Sequence, residues 1–412
     1  MSFSQRFASD LDPQVIVISV MTLVIMLGSS VISPVLPLLA QEFGVSYAGA
    51  GALVSAFAVG RIPFDFIGGA MVDRMSPRLV ASGGAAIVTV SAVFSVWATD
   101  FQALLWFRLL GGVGSALFII TAMAFLAHTV APQHMGRAMG FYQSMLLLGV
   151  SFGPTVGGFS ASLFHSLRAP FWAMAVLSFI VTLLCLRWIG EFPAVTSPKG
   201  DILEKKPTLG HGAVTQLLRD ATFRFVCVLT FLIFAVRSGM MQNLIPLFAQ
   251  QETGIGETGI GILQSLCSLA NFAILWHAGR LLDRAGRLRV TLPMVWLLVG
   301  VMLLCPWATT LVRLALLSSV FGIVVGYLGP APAAIIADIA PKGAVGSVMG
   351  MYRVSGDFGL LLGPVFIGWA AERFGFTLAF LTIAACTAGV ALLGLGARET
   401  LGAQQDGGAQ RT

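Results

Sequence analysis

Residues 60–78 read GRIPFDFIGGAMVDRMSPR. An arginine and an aspartate stand four apart in an apolar run, and a second aspartate and two more arginines follow. Part of the stretch returns 210 residues later, where Gly69-Ala-Met-Val-Asp73-Arg74 is answered by Gly279-Arg-Leu-Leu-Asp283-Arg284. The same offset carries Gly140-Phe-Tyr142 onto Gly350-Met-Tyr352, and Gly149-x-x-x-Gly153-Pro154 onto Gly359-x-x-x-Gly363-Pro364. Three matches in one register mean that the chain is built from two like halves.

Composition decides the solvent of those halves. Of 412 residues, 57% are hydrophobic and 10% charged, with a mean hydropathy of +0.89. Soluble domains carry about 25% charged residues, so this chain lacks the polar surface to face water. Lipid is the solvent that fits. One crossing takes about 20 apolar residues. Twelve spans are expected, at 15–40, 48–71, 79–98, 101–127, 136–163, 170–190, 222–249, 258–278, 289–308, 311–337, 346–371 and 375–396. No alternating strand pattern suggests a barrel. The first apolar run is too long for a signal-peptide core and lacks a small-residue cleavage site, so it is expected to be retained.

The basic residues set an expected orientation. Of 24 Lys and Arg residues, Arg61, Arg108, Arg237 and Arg353 fall inside spans. Arg168, Arg313 and Arg373 fall in loops on one side, and the other 17 lie in loops and tails on the opposite side. Basic loops stay in the cytoplasm, so both termini are expected there, in an inner (plasma) membrane protein. The net charge of +6 then reflects topology and implies no nucleic-acid partner. Residues 191–221, EFPAVTSPKGDILEKKPTLGHGAVTQLLRDA, form the one long polar connection. It separates an N-terminal six-helix bundle (1–190) from a C-terminal one with a short tail (222–412).

At this point the chain resembles the major facilitator superfamily, and within it the twelve-span drug:proton antiporters. The superfamily's loop signature between spans 2 and 3 is matched by GAMVDRMSPR (Gly69, Asp73, Arg74, Arg78) and between spans 8 and 9 by GRLLDRAGR (Gly279, Asp283, Arg284, Arg287). Its span 4 pattern is matched by Arg108-Leu-Leu-Gly111-Gly112. The antiporter pattern of span 5 is complete as Gly149-Val-Ser-Phe-Gly153-Pro154-Thr-Val-Gly157-Gly158, and Leu27-Gly28-SSVIS-Pro34-Val-Leu-Pro37 matches a span 1 pattern. The resemblance covers about residues 15–396. It implies an all-α integral membrane protein whose twelve transmembrane helices form two pseudo-symmetric six-helix bundles, the major facilitator fold. The chain departs from the pattern at Ser76-Pro77, at Gly111, and in having no acidic residue in spans 1 and 4.

Each motif has a physical use. Glycines four apart let helix backbones approach in lipid, and Pro154 removes a backbone donor inside span 5. The family reading makes span 5, with Gly359, Gly363 and Pro364 as its counterpart in span 11, a seal against leak; a plain packing face is the other reading. A loop carboxylate such as Asp73 can face the positive N-terminus of a neighbouring helix, worth about 0.3–1 kcal/mol. The alternative is a charged turn that only fixes topology.

Charged groups inside spans are functional candidates because an unpaired charge at mid-membrane costs at least about 2.5–3.5 kcal/mol. Arg61 and Asp65 share one face of span 2, and Arg353 and Asp357 repeat the spacing in span 11, which runs the other way. In the family fold these spans face each other, so the opposed order matches acid to base at two levels. The expectation is a two-rung cytoplasmic gate whose carboxylates also take the coupling proton; pairing within each helix is the competing arrangement. Arg108 and Arg237 have no acidic partner in their own helices, and the family fold places spans 1, 4, 7 and 10 around a central cavity. They are candidates for the substrate site, with Ser29, Ser33, Gln242, Asn243 and Tyr327 as further ones. The five histidines and Asp338 read as loop or span-end residues, and the five cysteines as packing.

No phosphate-binding loop, metal-ligand spacing or catalytic triad is present, so an enzyme is not expected. The leading reading is proton-driven antiport (efflux) of a small amphipathic compound by a monomer in the lipid bilayer, powered by the proton gradient without cofactor or metal. A symporter or facilitator for an organic anion or metabolite is the alternative, and a transporter-like receptor or scaffold a third.

Overall fold

A computed structural model describes residues 13–130, 135–189, 220–339 and 345–400, of which 65–74, 127–128, 135–137, 345–347 and 349–350 are described by their backbone. The described residues are almost entirely helical. Span 1 is Pro13–Val31 with Leu36–Glu42, span 2 Tyr47–Arg74, span 3 Pro77–Val96, span 4 Phe101–Thr129, span 5 Met135–Leu163 and span 6 Ala169–Trp188. Span 7 joins Ala221–Val236, Arg237–Leu244 and Ile245–Thr253. Span 8 is Glu257–Ala285, span 9 Arg287–Leu304, and span 10 Leu311–Leu328 with Ala331–Ile339. Spans 11 and 12 form one run, Val345–Gly394, broken at Gly375. Gly375 has φ 79° and ψ 165°, a backbone conformation that a side chain would strain. That break turns an otherwise unbroken helix into two crossings and brings the count to the twelve expected.

Three spans expected to be continuous are interrupted. In span 1 the helix opens into a turn at 32–35, because Pro34 cannot donate and Pro37 starts the next segment. In span 7, Pro246 removes a donor and its ring crowds the carbonyl four residues back, that of Gln242. The chain there widens into an eight-residue π-helix, Arg237–Leu244. Span 10 breaks at Gly329-Pro330. Unwound or widened turns of this kind are frequent at functional sites.

The described residues divide into two compact units. One holds 13–45, 52–189 and 255–265; the other holds 46–51, 220–254 and the residues from 266 on. Each unit therefore includes the first turns of a span from the other half of the sequence. Within the first unit, span 1 packs on spans 5 and 6, and span 3 on spans 4 and 6. The second repeats this with span 7 on span 11 and span 9 on spans 10 and 12. Large apolar side chains such as Phe94, Phe159, Leu316 and Trp369 stay exposed, as a lipid-facing exterior requires.

Candidate functional site

The antiporter motif is a two-sided backbone contact. A Cβ placed at Gly149, Gly153 or Gly157 would collide with span 1, at the carbonyls of Leu23 and Val31 and the hydroxyl of Ser30. Ser30 Oγ donates to the carbonyl of Met26 at 2.8 Å and reaches that of Gly149 at 3.2 Å. The other side of span 5 meets span 8. There a Cβ at Gly158 would strike the carbonyl of Glu257, and one at Gly261 the carbonyl of Pro154. The Thr155 N–H donates to Ser265 Oγ at 3.0 Å, and Thr258 Oγ1 donates to the carbonyl of Gly158 at 3.3 Å.

The second unit builds the same clasp 210 residues on. A Cβ at Gly368 in span 11 would strike the carbonyl of Tyr47, and one at Gly51 in span 2 the carbonyl of Pro364. Gly359 and Gly363 meet Phe231 and Ala235 of span 7. A third pair obeys the same offset, with Gly112 on the carbonyl of Phe57 and Gly322 on that of Cys267. Gly51, Gly261 and Gly368 escaped the sequence reading. Gly51 and Gly261 lie 210 apart, as do Gly158 and Gly368, so the repeat register was the signal that could have found them.

The π-helical part of span 7 enters this second clasp. Asn243 is fully buried; its Nδ2 donates to the Pro364 carbonyl at 3.0 Å and lies 3.5 Å from that of Tyr47. Its Oδ1 is buried without a hydrogen-bond partner. Tyr47 stacks on Phe376 at 5.5 Å between ring centroids, and its hydroxyl bonds Gln251. Arg237 is half-buried at the first residue of the π-helix, with Gln242 half-buried further along it.

The other candidates lie elsewhere. Arg108 is 7% exposed, with its guanidinium 4.8 Å from the Phe57 ring centroid and its Nε lacking a hydrogen-bond partner. Ser29 Oγ is likewise buried and unpartnered, while Ser33 sits in the turn of span 1. Tyr327 packs with Ala278, Leu282, Val290 and Ala331, and its hydroxyl lies 2.7 Å from Nδ1 of His277. Arg61 and Asp357 are half-buried and both have partners; Arg353 is exposed. The side chain of Asp65, and with it the expected gate pairing, lies outside the described residues, as do those of Asp73 and Arg74. Arg78 is exposed at the start of span 3.

The second loop motif differs from expectation in one respect. Asp283 pairs with Arg287 one turn on, and Arg287 Nε donates to Asp338 Oδ2 at 3.0 Å. The carboxylate on the N-terminus of span 9 belongs to Glu399 instead. It accepts from the backbone N–H of Arg287 (2.7 Å), Leu288 (3.0 Å) and Arg289 (3.2 Å). Thr400 Oγ1 completes the cluster by donating to Asp338 at 2.9 Å. Asp338, read from sequence as a helix end, is thus part of an ion-pair network.

Two like sets of spans, each held within itself by glycine backbone contacts and interrupted at spans 1, 7 and 10, mark a multi-pass membrane protein built on the plan of a transporter. A family model of the Major Facilitator Superfamily matches residues 18–287 and again 226–410, and the chain belongs to that superfamily. Among named relatives, the multi-drug resistance efflux pump PmrA of Streptococcus pneumoniae is 25% identical over 371 residues, 87% of this chain and 89% of the relative. The quinolone resistance protein NorA of Staphylococcus aureus is 27% identical over 180 residues, 43% of this chain and 46% of NorA. Solved structures share the fold at low identity. A bacterial homologue of the human lysosomal transporter Spinster, inward-facing and occupied, has a TM-score of 0.74 at 15% identity, covering 92% of this chain and 95% of that one. The nucleoside transporter NupG has a TM-score of 0.73 at 14%, covering 93% and 99%.

Proposed function

We propose that this transporter exports a small amphipathic compound from the cytoplasm by proton-coupled antiport, alternating access across the inner membrane with both termini cytoplasmic. The observation that carries the reading is span 5, whose complete glycine-proline motif packs backbone to backbone on spans 1 and 8. A span in such contact along two sides leaves no room for a side chain, or for water, between backbones, which suits an exchanger that must not leak. The relative named as an efflux pump supports the direction of transport, and the basic loops support cytoplasmic termini. The gate residues Arg61, Asp65, Arg353 and Asp357 form its cytoplasmic barrier, and protonation of Asp65 or Asp357 loosens it by removing one charge of a pair.

Arg108 favours a second reading. A buried guanidinium with an unpartnered Nε suits an anionic group on the substrate, as a symporter or facilitator for an organic acid would need. Purified protein in liposomes separates the two. Proton release on adding a lipophilic cation supports antiport. Proton uptake alongside an organic acid supports symport, and transport without proton movement supports a facilitator.

A further inference from the structure

The second half of the chain carries a hydrogen-bonded imidazole–phenol pair where the first half carries hydrocarbon. Nδ1 of His277 in span 8 and the hydroxyl of Tyr327 in span 10 are 2.7 Å apart, with the rings edge to face. Subtracting the repeat offset gives Ile67 and Leu117. The surroundings correspond: Tyr327 packs with Val290, and Leu117 packs with Val80 in the first half. Leucine fills this place in one copy, so packing alone does not require a phenol in the other.

The spans that present the pair are held rigidly together. Gly322 and Gly326 bring span 10 onto the backbone of span 8 at Cys267 and Asn271. Tyr327 stands two residues before Gly329-Pro330, where span 10 breaks. His277 is exposed while Tyr327 is 9% exposed. Among the described residues Nε2 of His277 has no hydrogen-bond partner. Imidazole is the one side chain whose unperturbed titration falls between pH 5 and 8.

We infer that His277 is a proton-binding group of the transport cycle, held by Tyr327 at the break in span 10. The bond suits both charge states. With the neutral ring protonated on Nδ1, that N–H donates to the phenol oxygen and Nε2 keeps its lone pair. A proton taken from water binds Nε2, the Nδ1 bond stays in place, and release returns the proton from Nε2 to water. The other charged groups on span 8 and on the spans facing it make contacts of their own or none with His277. Arg280 lies over the Trp276 ring, Arg287 bonds both Asp283 and Asp338, Arg237 faces span 8 at Cys267, and none of these, nor Glu257, Arg284, Arg289 or Arg313, is bonded to His277.

The inference rests on the antiport reading, and two measurements keep the fates of the two apart. In proteoliposomes with tetraphenylphosphonium as probe, the wild-type rate is expected to inflect between pH 5 and 8. His277→Gln is expected to flatten that profile and to release at most about half as many protons per probe bound. Tyr327→Phe, which removes the ring's hydrogen-bond partner, is expected to change the profile while transport still responds to pH. Wild type moving probe without protons overturns antiport, and this inference with it. Wild type moving protons while His277→Gln shows an unaltered profile overturns this inference alone. Histidine-labelled full-length protein, read by NMR without any probe, covers the case in which the cation is not a substrate. The signal lost in His277→Gln must titrate between pH 5 and 8 and respond to Tyr327→Phe; a signal fixed across that range overturns the inference.

Discussion

Gly158 lies against the backbone carbonyl of Glu257 so closely that the two helices share a surface with no side chain between them. The same relation holds between Gly368 and Tyr47.

Enlarging either glycine should separate the helices. Gly158→Ala and Gly368→Ala are expected to destabilise by about 1–3 kcal/mol, the usual range for overpacking. Gly300 in span 9 has open space around it, so Gly300→Ala should be neutral or stabilising by up to about 1 kcal/mol from helix propensity. Thermal unfolding in detergent, alongside transport, reads the contrast. Equal behaviour of Gly158→Ala and Gly300→Ala would contradict the clasp.

Asn243 ties the widened turn of span 7 to the Pro364 carbonyl. Asn243→Ala removes that bond and should lower stability by about 0.5–1.5 kcal/mol. Asn243→Asp is expected to be worse at neutral pH, because a buried carboxylate faces a carbonyl. Unfolding midpoints of both variants at neutral pH check this; Asn243→Asp should melt below Asn243→Ala.

Glu399 caps span 9 from more than a hundred residues away. Glu399→Gln removes the charge and replaces one of the two accepting oxygens with an NH2 group, and should reduce stability by about 0.5–1.5 kcal/mol. Arg287→Gln leaves the partly buried Asp338 with Thr400 as its remaining partner and should cost about 1–3 kcal/mol. The order of the melting temperatures, wild type above Glu399→Gln above Arg287→Gln, is the measurement.

The proposed gate predicts a rescue. Asp65→Arg and Arg353→Asp should each abolish transport, and the double variant should recover a measurable part of it. A double variant as inactive as the singles points to pairing within each helix.

The spans, the two like halves and the family were legible because they rest on local signals: apolar length, glycine spacing and a constant offset. The breaks in spans 1, 7 and 10 were half legible. Pro34, Pro246 and Pro330 mark them, yet apolar runs continue across each proline, so hydropathy alone reads through. What stayed hidden needs partners distant in sequence. Nothing near Asn243 shows that it reaches Pro364, and nothing near Arg287 shows that Glu399, not Asp283, covers the start of its helix. His277 read as ordinary because its meaning lies in Tyr327, fifty residues on.

The matched clasps also bear on descent. In a dimer of identical subunits, if residue i of one touches j of the other, then j of the first touches i of the second. Tyr47 and Gly51 with Gly368 and Pro364, and Glu257 and Gly261 with Gly158 and Pro154, obey that rule once 210 is removed from the later numbers. A six-span ancestor meeting its own copy would make both clasps from one set of residues, and joining the copies end to end yields the present chain. Copies joined in one chain would also be free to differ. An imidazole and a phenol can then stand in one where isoleucine and leucine stand in the other, a difference no symmetric dimer could hold.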